Sequence, residues 1–196
     1  MGSMSDRMPM PTLPLRTERL ELRLFTDDDL DAVFDMQSDE AMTRYLYWGP
    51  RSRDEVREQL ERFKGMTAID DEGDAIRLAA VLPETGAVIG DVGLWRTSRA
   101  HAQGEIGYVL HPAHHGNGYA TEACEAMLQV GFEMLGLHRI VARADARNAA
   151  SIRVMERLGM RREAHLRENE FVKGEWTDEV IYAMLAAEWQ PGGLGR

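Results

Sequence analysis

The sequence predicts a single α/β (α+β) domain built around a mixed sheet, and three observations carry that prediction. Segments of apolar–polar alternation sit between segments with a 3.6-residue period. Their order is strand, two helices, a run of strands, then helix–strand–helix–strand–strand. No linker, internal repeat or low-complexity stretch divides the 196 residues, a length that suits one domain with a real core.

The elements follow in order. Arg19 to Leu24 alternates apolar and polar residues, as a half-buried strand does. Asp27 to Asp29 supply cap-type residues for a helix through Leu30, Val33, Phe34 and Met36. An aromatic break, Tyr45-Leu-Tyr-Trp-Gly-Pro50, leads to a second helix from Ser52 to Met66, with the Ser52/Glu55 spacing of a capping box. Ile76 to Leu82 and Ala87 to Trp95 read as strands joined by the turn Pro83-Glu-Thr-Gly86. A further strand, Gly104 to Leu110, ends at Pro112.

A helix from Ala120 to about Leu135 carries Ala123, Cys124, Met127, Leu128 and Gly131 on one stripe, and Gly136 stops it. Arg139 to Ala144 is a short strand, Asn148 caps a helix ending at Gly159, and closing strands lie near Met160 to Leu166 and Glu179 to Leu185. The domain is expected over residues 14–190, with tails at 1–13 and 191–196. Met1-Gly-Ser-Met4 has the look of an expression scar.

The chain is 44% hydrophobic and 29% charged, ordinary for a globular protein. Its formal net charge of −10 argues against general binding of DNA or RNA. That charge suits a cationic substrate such as an amine, and equally a surface that serves only solubility. No apolar run approaches the ~18 residues that span a membrane, and no secretory leader precedes the first strand. Cys124 is the single cysteine, so no internal disulfide forms and a cytoplasmic address is expected.

The most informative stretch is His111-Pro-Ala-His-His-Gly-Asn-Gly-Tyr-Ala-Thr-Glu-Ala123. A glycine-bearing loop that runs into a helix gathers free backbone N–H groups and the positive end of the helix dipole at one place, an anion site. No GxxxxGK[ST] exists in the chain, so a nucleotide P-loop is out. A dinucleotide fingerprint fails as well: after Gly116 and Gly118 its third glycine position holds Thr121. His111, His114 and His115 could suggest a metal site, but Pro112 breaks their helical spacing and no Cys or second carboxylate lies close by, so no metal is expected.

His115-Gly-Asn-Gly-Tyr-Ala120 resembles the [Q/R]-x-x-G-x-[G/A] loop of the GNAT acetyl-CoA-dependent N-acetyltransferases. Glu105 to Leu110 before it, Thr121-Glu-Ala123 after it, and Asn148-Ala-Ala-Ser-Ile-Arg-Val-Met-Glu-Arg-Leu-Gly-Met160 extend the resemblance. The opening Leu15 to Arg23 and closing Asp178 to Leu185 look like the ends of the branch that holds the ribosomal-protein alanine N-acetyltransferases. His115 departs from the usual Gln or Arg; a protonated imidazole there would still help neutralise phosphate.

The resemblance implies a GNAT fold: a central mixed, mostly antiparallel twisted sheet, splayed between two strands and flanked by about four helices. It implies acetyl-CoA as co-substrate, with pyrophosphate on the main-chain N–H groups of His115, Gly116, Asn117, Gly118, Tyr119, Ala120 and Thr121. The pantetheine arm would pair with Tyr108, Val109 and Leu110 as an added strand, and an N–H near Val109 would polarise the thioester carbonyl. By residue preference Asn148 is an N-cap and Ser151 a hydroxyl bonding its own helix. By resemblance both face the cofactor, and Ser151 becomes a candidate acid for the departing thiolate.

Glu105 is the leading candidate base and Glu170 its rival, ahead of Asp91 and Glu168. Tyr45, Tyr47 and Trp48 are either core aromatics or the wall of the acceptor pocket. Cys124, on the apolar stripe, reads as a small buried hydrophobe rather than a nucleophile. The expected reaction is direct transfer of acetyl to a primary amine, foremost a protein N-terminal α-amine. Polyamines, amino-sugars or drugs are alternative acceptors, and a non-catalytic acyl-CoA sensor or a purely structural interaction protein are readings from other classes. Neither nucleic acid nor membrane is an expected partner; many relatives suggest a homodimer.

Overall fold

The computed structural model describes residues 11–190. Of the expected tails at 1–13 and 191–196, residues 1–10 and 191–196 lie outside the described residues, and Leu13 already packs against the main core.

Among the described residues nine strands form one sheet: β1 (Leu15–Arg16), β2 (Glu21–Arg23), β3 (Thr67–Ala68), β4 (Ala75–Leu82), β5 (Ala87–Ser98), β6 (Gln103–Leu110), β7 (Arg139–Asp145), β8 (Arg161–Val172) and β9 (Glu175–Leu185). Their order is β1-β2-β4-β5-β6-β7-β9-β8, with β3 beside β4. Every neighbouring pair is antiparallel except β6 and β7. That one parallel pair needs a crossover, and α4 (Tyr119–Gln129) supplies it over the sheet.

Two cores follow from the alternation of the strands. Leu78, Val92, Leu94, Ile106, Ile140 and Val180 turn to the face covered by α4 and α5 (Ala149–Arg157). Ala79 and Val81 turn to the opposite face, where α1 (Leu30–Ser38) and α3 (Arg53–Gly65) bring Val33, Val56, Leu60 and Phe63. Each such Val, Leu, Ile or Phe side chain, fully buried, contributes roughly 1.5–3 kcal/mol. The capping box of α3 forms as its spacing predicts: Ser52 N–H donates to Glu55 Oε2 at 2.8 Å and Ser52 Oγ receives Glu55 N–H.

Four details differ from the sequence reading. A fifth helix, α2 (Glu40–Thr43), is a single turn capped by the Asp39 carboxylate, which accepts Met42 N–H at 2.9 Å. The helix after the glycine loop is α-helical only to Gln129 and closes as a π turn over Val130–Met134. Gly131 sits in that turn because a Cβ there would lie 2.5 Å from Ile140. The closing strands run further than expected and form a hairpin turned at Lys173 and Gly174. The outer half of β8 is an edge strand exposed on most of both faces, so it shows no apolar period to read. The fourth is the pair of strands β1 and β3, each of two residues and too short to announce itself.

Candidate active site

The loop that joins β6 to α4 is built by three local devices. Pro112–His114 makes one tight turn, with His111 Nδ1 accepting Ala113 N–H at 3.2 Å. Gly116 and Gly118 take φ of +81° and +83°, the left-handed region that favours glycine. The first bond of α4 runs from Glu122 N–H to Gly118 O at 3.0 Å, so the amides of residues 119–121 precede the helix's own ladder. Here the positive end of a helix of 11 residues meets a main chain free of side-chain bulk, since a Cβ on Gly116 would meet nothing within 4 Å.

Arg19 holds the loop from outside. Its Nη1 donates to Asn117 O at 2.8 Å, its Nε to Glu122 Oε2 at 2.8 Å, and its guanidinium lies 4.9 Å from the centre of the Tyr119 ring. The His115 ring, at the position that departs from the family's loop pattern, donates from Nε2 to Leu110 O at 2.8 Å.

Beyond the loop the sheet opens. β6 and β7 pair only through Gln103, Gly104 and Glu105, and Ile106 to Leu110 continue without β7 alongside. The bond from His111 N–H to Ile89 O at 2.8 Å, with constant register back to Glu105, fixes which residues face which side. Odd-numbered residues bond β5, and the even-numbered Ile106, Tyr108 and Leu110 turn their main-chain groups to the open edge. Val109 N–H therefore faces Asp91 on β5, and the expected donor near Val109 becomes the amide of Tyr108 or Leu110. Gly90 permits the close approach of the two strands there, because a Cβ would lie 2.4 Å from Val109 O.

This opening is part of a cavity of about 730 Å³. On one side Asn148, Ser151 and Tyr108 line it; on the other, Glu105, Tyr47 and Trp48, with Tyr45 and Val109 also on the wall. Asn148 is the N-cap of α5, accepting Ser151 N–H at 3.1 Å, so the structural and the cavity-facing placements hold at once. Tyr108 Oη donates to Ser151 Oγ at 3.3 Å, and burial, opposed by that hydrogen bond, pushes the phenol up to about 12. Cys124 is fully buried in the floor, where burial raises its thiol well above the usual value, so a thiolate nucleophile is disfavoured.

A charged network forms the second side. Arg143 Nε donates to Glu105 and its Nη1 to Glu179, each at 3.2 Å. Tyr47 Oη donates to the other oxygen of Glu179 at 2.9 Å, and Asn169 Nδ2 reaches Glu179 at 3.2 Å. Burial holds the Glu105 carboxyl above its ordinary range, against the pull of Arg143. Burial and then Glu179 likewise raise the Tyr47 phenol.

The structure thus brings Glu105, Tyr108, Ser151, Asn148, Tyr45, Tyr47 and Trp48 to one cavity. Glu170 lies in an adjoining hollow with Tyr47 and Glu179, outside the cavity wall. Asp91 is bound to Arg77 at 2.6 Å under the sheet, and Glu168 is exposed at φ +47° in an irregular stretch of β8; neither lines the cavity. The sequence reading missed Arg143 and Glu179, the Tyr108 hydroxyl, and Arg77 and Arg96 on the wall. Nothing local marked them, because each is defined by a partner or a surface distant along the chain.

The acetyltransferase (GNAT) domain family matches residues 19–161, and the chain belongs to that family. It is 33% identical over 175 residues to the N-acetyltransferase YnaD of Bacillus subtilis (strain 168), covering 89% of this chain and 98% of that one. The solved structure of an acetyltransferase (GNAT family) from Bacillus anthracis superposes with a TM-score of 0.80 at 32% identity, over 89% and 99% of the two chains. The [ribosomal protein uS5]-alanine N-acetyltransferase of Escherichia coli (strain K12) is 26% identical across 95% of this chain and 97% of its own. The protein is an N-acetyltransferase, and enzymes of this family use acetyl-CoA.

Proposed function

We propose that the protein transfers acetyl from acetyl-CoA to the α-amine of a protein N-terminus by direct attack of the neutral amine. The observation that carries the reading is the single cavity in which Glu105, the open edge of β6 and the Tyr108–Ser151 pair meet. The loop amides of residues 115–121 hold the pyrophosphate, and the outward amides of Tyr108 and Leu110 meet the pantetheine and the carbonyl oxygen. Glu105 takes a proton from the bound ammonium, directly or through one water, to leave the neutral amine that attacks. A carbon–nitrogen bond forms, the carbon–sulfur bond breaks, and the thiolate takes its proton from Ser151, which Tyr108 backs, or from solvent.

Glu105 is preferred over Glu170 because it lines the same cavity as Ser151. Tyr45, Tyr47 and Trp48 suit an acceptor that arrives as a cation. The E. coli relative acts on a ribosomal protein's alanine, as its name states, which favours a peptide terminus over a small amine.

A thiol-release screen with acetyl-CoA over peptide N-termini, polyamines and amino-sugars tests the reading. Amine-dependent thiol release with N-terminally acetylated peptide as product supports it. Release with small amines alone overturns the acceptor. Cofactor binding with no release from any amine makes the chain a sensor.

A further inference from the structure

The aromatic connector between α2 and α3 owes its place to polar ties rather than to packing. None of residues 44–50 is buried, and Tyr45, Leu46, Tyr47 and Trp48 belong to neither apolar core. A segment with so little buried apolar contact opens at low free energy unless other bonds hold it. Yet these same four residues line the cavity that holds Glu105.

Three side chains fasten the connector. At its start, Lys173 Nζ donates to Thr43 O at 2.7 Å and to Arg44 O at 2.8 Å. These carbonyls lie at the end of α2, where a helix runs out of its own donors and a lysine is favoured. In the middle, Tyr47 Oη donates to Glu179 on β9 at 2.9 Å. Past its end, Arg51 N–H donates to Gln37 O at 2.9 Å and Arg51 Nη1 to Gln37 Oε1 at 2.7 Å, while the guanidinium lies 3.9 Å from the centre of the Trp48 ring.

Lys173 touches both ends of the connector. Its Cδ lies 4.0 Å from where a Cβ on Gly49 would stand, so the stem runs beside Gly49 while the ammonium holds residues 43 and 44. It stands at the β8–β9 turn with φ +50°, a conformation uncommon for any residue but glycine. Among the described residues no carboxylate pairs with it, and two of its three donors go to main-chain carbonyls. It lines the hollow next to the cavity, with Glu170 and Thr177, and not the cavity itself.

We propose that Lys173 is a positioning residue for the acceptor: through it the β8–β9 turn clasps the connector, and the clasp sets the aromatic wall on which the amine binds. The inference rests on the acetyl-transfer reading above and adds to it a residue outside the cavity. An acceptor that binds only the fastened connector has its apparent affinity reduced by the fraction that is fastened. The loop at the start of α4 and the edge of β6 are separate elements, so cofactor binding does not depend on the clasp.

The thiol-release assay, with alanyl-alanyl-alaninamide and with spermidine as amines, compares wild-type protein with Lys173→Met and Lys173→Arg. The first variant keeps the stem and removes the donors; the second keeps a charged donor. Lys173→Met is expected to raise the acceptor KM about tenfold, the result of a connector fastened about a tenth of the time. Its kcat is expected to change about twofold or less, with acetyl-CoA Kd unchanged, and Lys173→Arg is expected to recover part of the loss.

Hydrogen exchange reads the clasp without turnover. The amides of residues 44–49 are expected to exchange several-fold faster in Lys173→Met than in wild type, and those of residues 115–121 at the same rate in both. Equal exchange over residues 44–49 overturns the inference, and so does faster exchange there with an unchanged KM for the amine that turns over. A joint fall in kcat, acetyl-CoA affinity and Tm marks Lys173 as structural and overturns it too. Absence of thiol release from wild-type protein across the amine screen sinks the acetyl-transfer reading, and the acceptor role of Lys173 with it, even where exchange shows the clasp.

Discussion

The His115 imidazole donates from Nε2 to the Leu110 carbonyl oxygen at 2.8 Å, so the side chain that breaks the family's loop pattern ties the loop to the last residue of β6. The tie joins two parts of the proposed cofactor site, the amides at the start of α4 and the open edge of the strand. Loss of one hydrogen bond of this kind costs about 1 kcal/mol. His115→Ala is accordingly expected to weaken CoA binding several-fold, read by calorimetric Kd, with kcat nearly unchanged. His115→Gln, which keeps a donor, is expected to lose less.

Arg143 stands between two carboxylates, Glu105 and Glu179, and its charge opposes the burial that raises Glu105. If Glu105 is the base, activity rises with pH as that carboxyl loses its proton. Removing Arg143 leaves burial unopposed, lifts the carboxyl further and moves the acidic limb of kcat/KM to higher pH. Arg143→Gln is expected to show this shift and Arg143→Lys to show less of it. A limb that does not move in Arg143→Gln removes Glu105 from the mechanism.

How much of this was readable in the chain depends on distance along it. The loop from His115 to Ala123, the Ser52–Glu55 capping box and the Asn148 cap are local patterns, and each formed where its spacing put it. The Arg143–Glu179 and Tyr47–Glu179 contacts join residues 36 and 132 positions apart, and only the sheet order brings them together. The orientation of Val109 was equally hidden. It is set by register against β5, and one residue of slip turns every amide of β6 around.

Ser151 and Tyr108 are expected to matter modestly. Thiolate is a good leaving group, so Ser151→Ala and Tyr108→Phe are each expected to lower kcat by about tenfold or less. Because the Tyr108 phenol is pushed up to about 12, it keeps its proton across the assay range and adds no falling limb below pH about 10. A loss near a thousandfold in either variant makes that hydroxyl the obligatory acid.

Asp29 anchors the start of α1 to the sheet. It accepts Arg23 in a two-pronged pair, at 2.8 and 2.7 Å, and Thr26 N–H at 2.8 Å. Burial works against its charge, yet the bonds from Arg23 and Thr26 outweigh burial and hold the carboxyl below its ordinary value. The stabilisation is fully present above the unfolded carboxyl's pKa, about 4, and fades as pH falls through the lower folded value. Asp29→Asn is expected to cost on the order of 2–3 kcal/mol near pH 7. The gap in Tm between variant and wild type narrows on acidification below pH about 4. A gap independent of pH assigns the effect to packing alone.

The most direct measurement is single-turnover acetyl transfer from preloaded acetyl-CoA to a peptide amine, in wild-type protein and Glu105→Gln. If Glu105 takes the proton inside this cavity, the variant's rate falls about 100-fold or more, with acetyl-CoA Kd unchanged. Equal rates in the two proteins contradict the account.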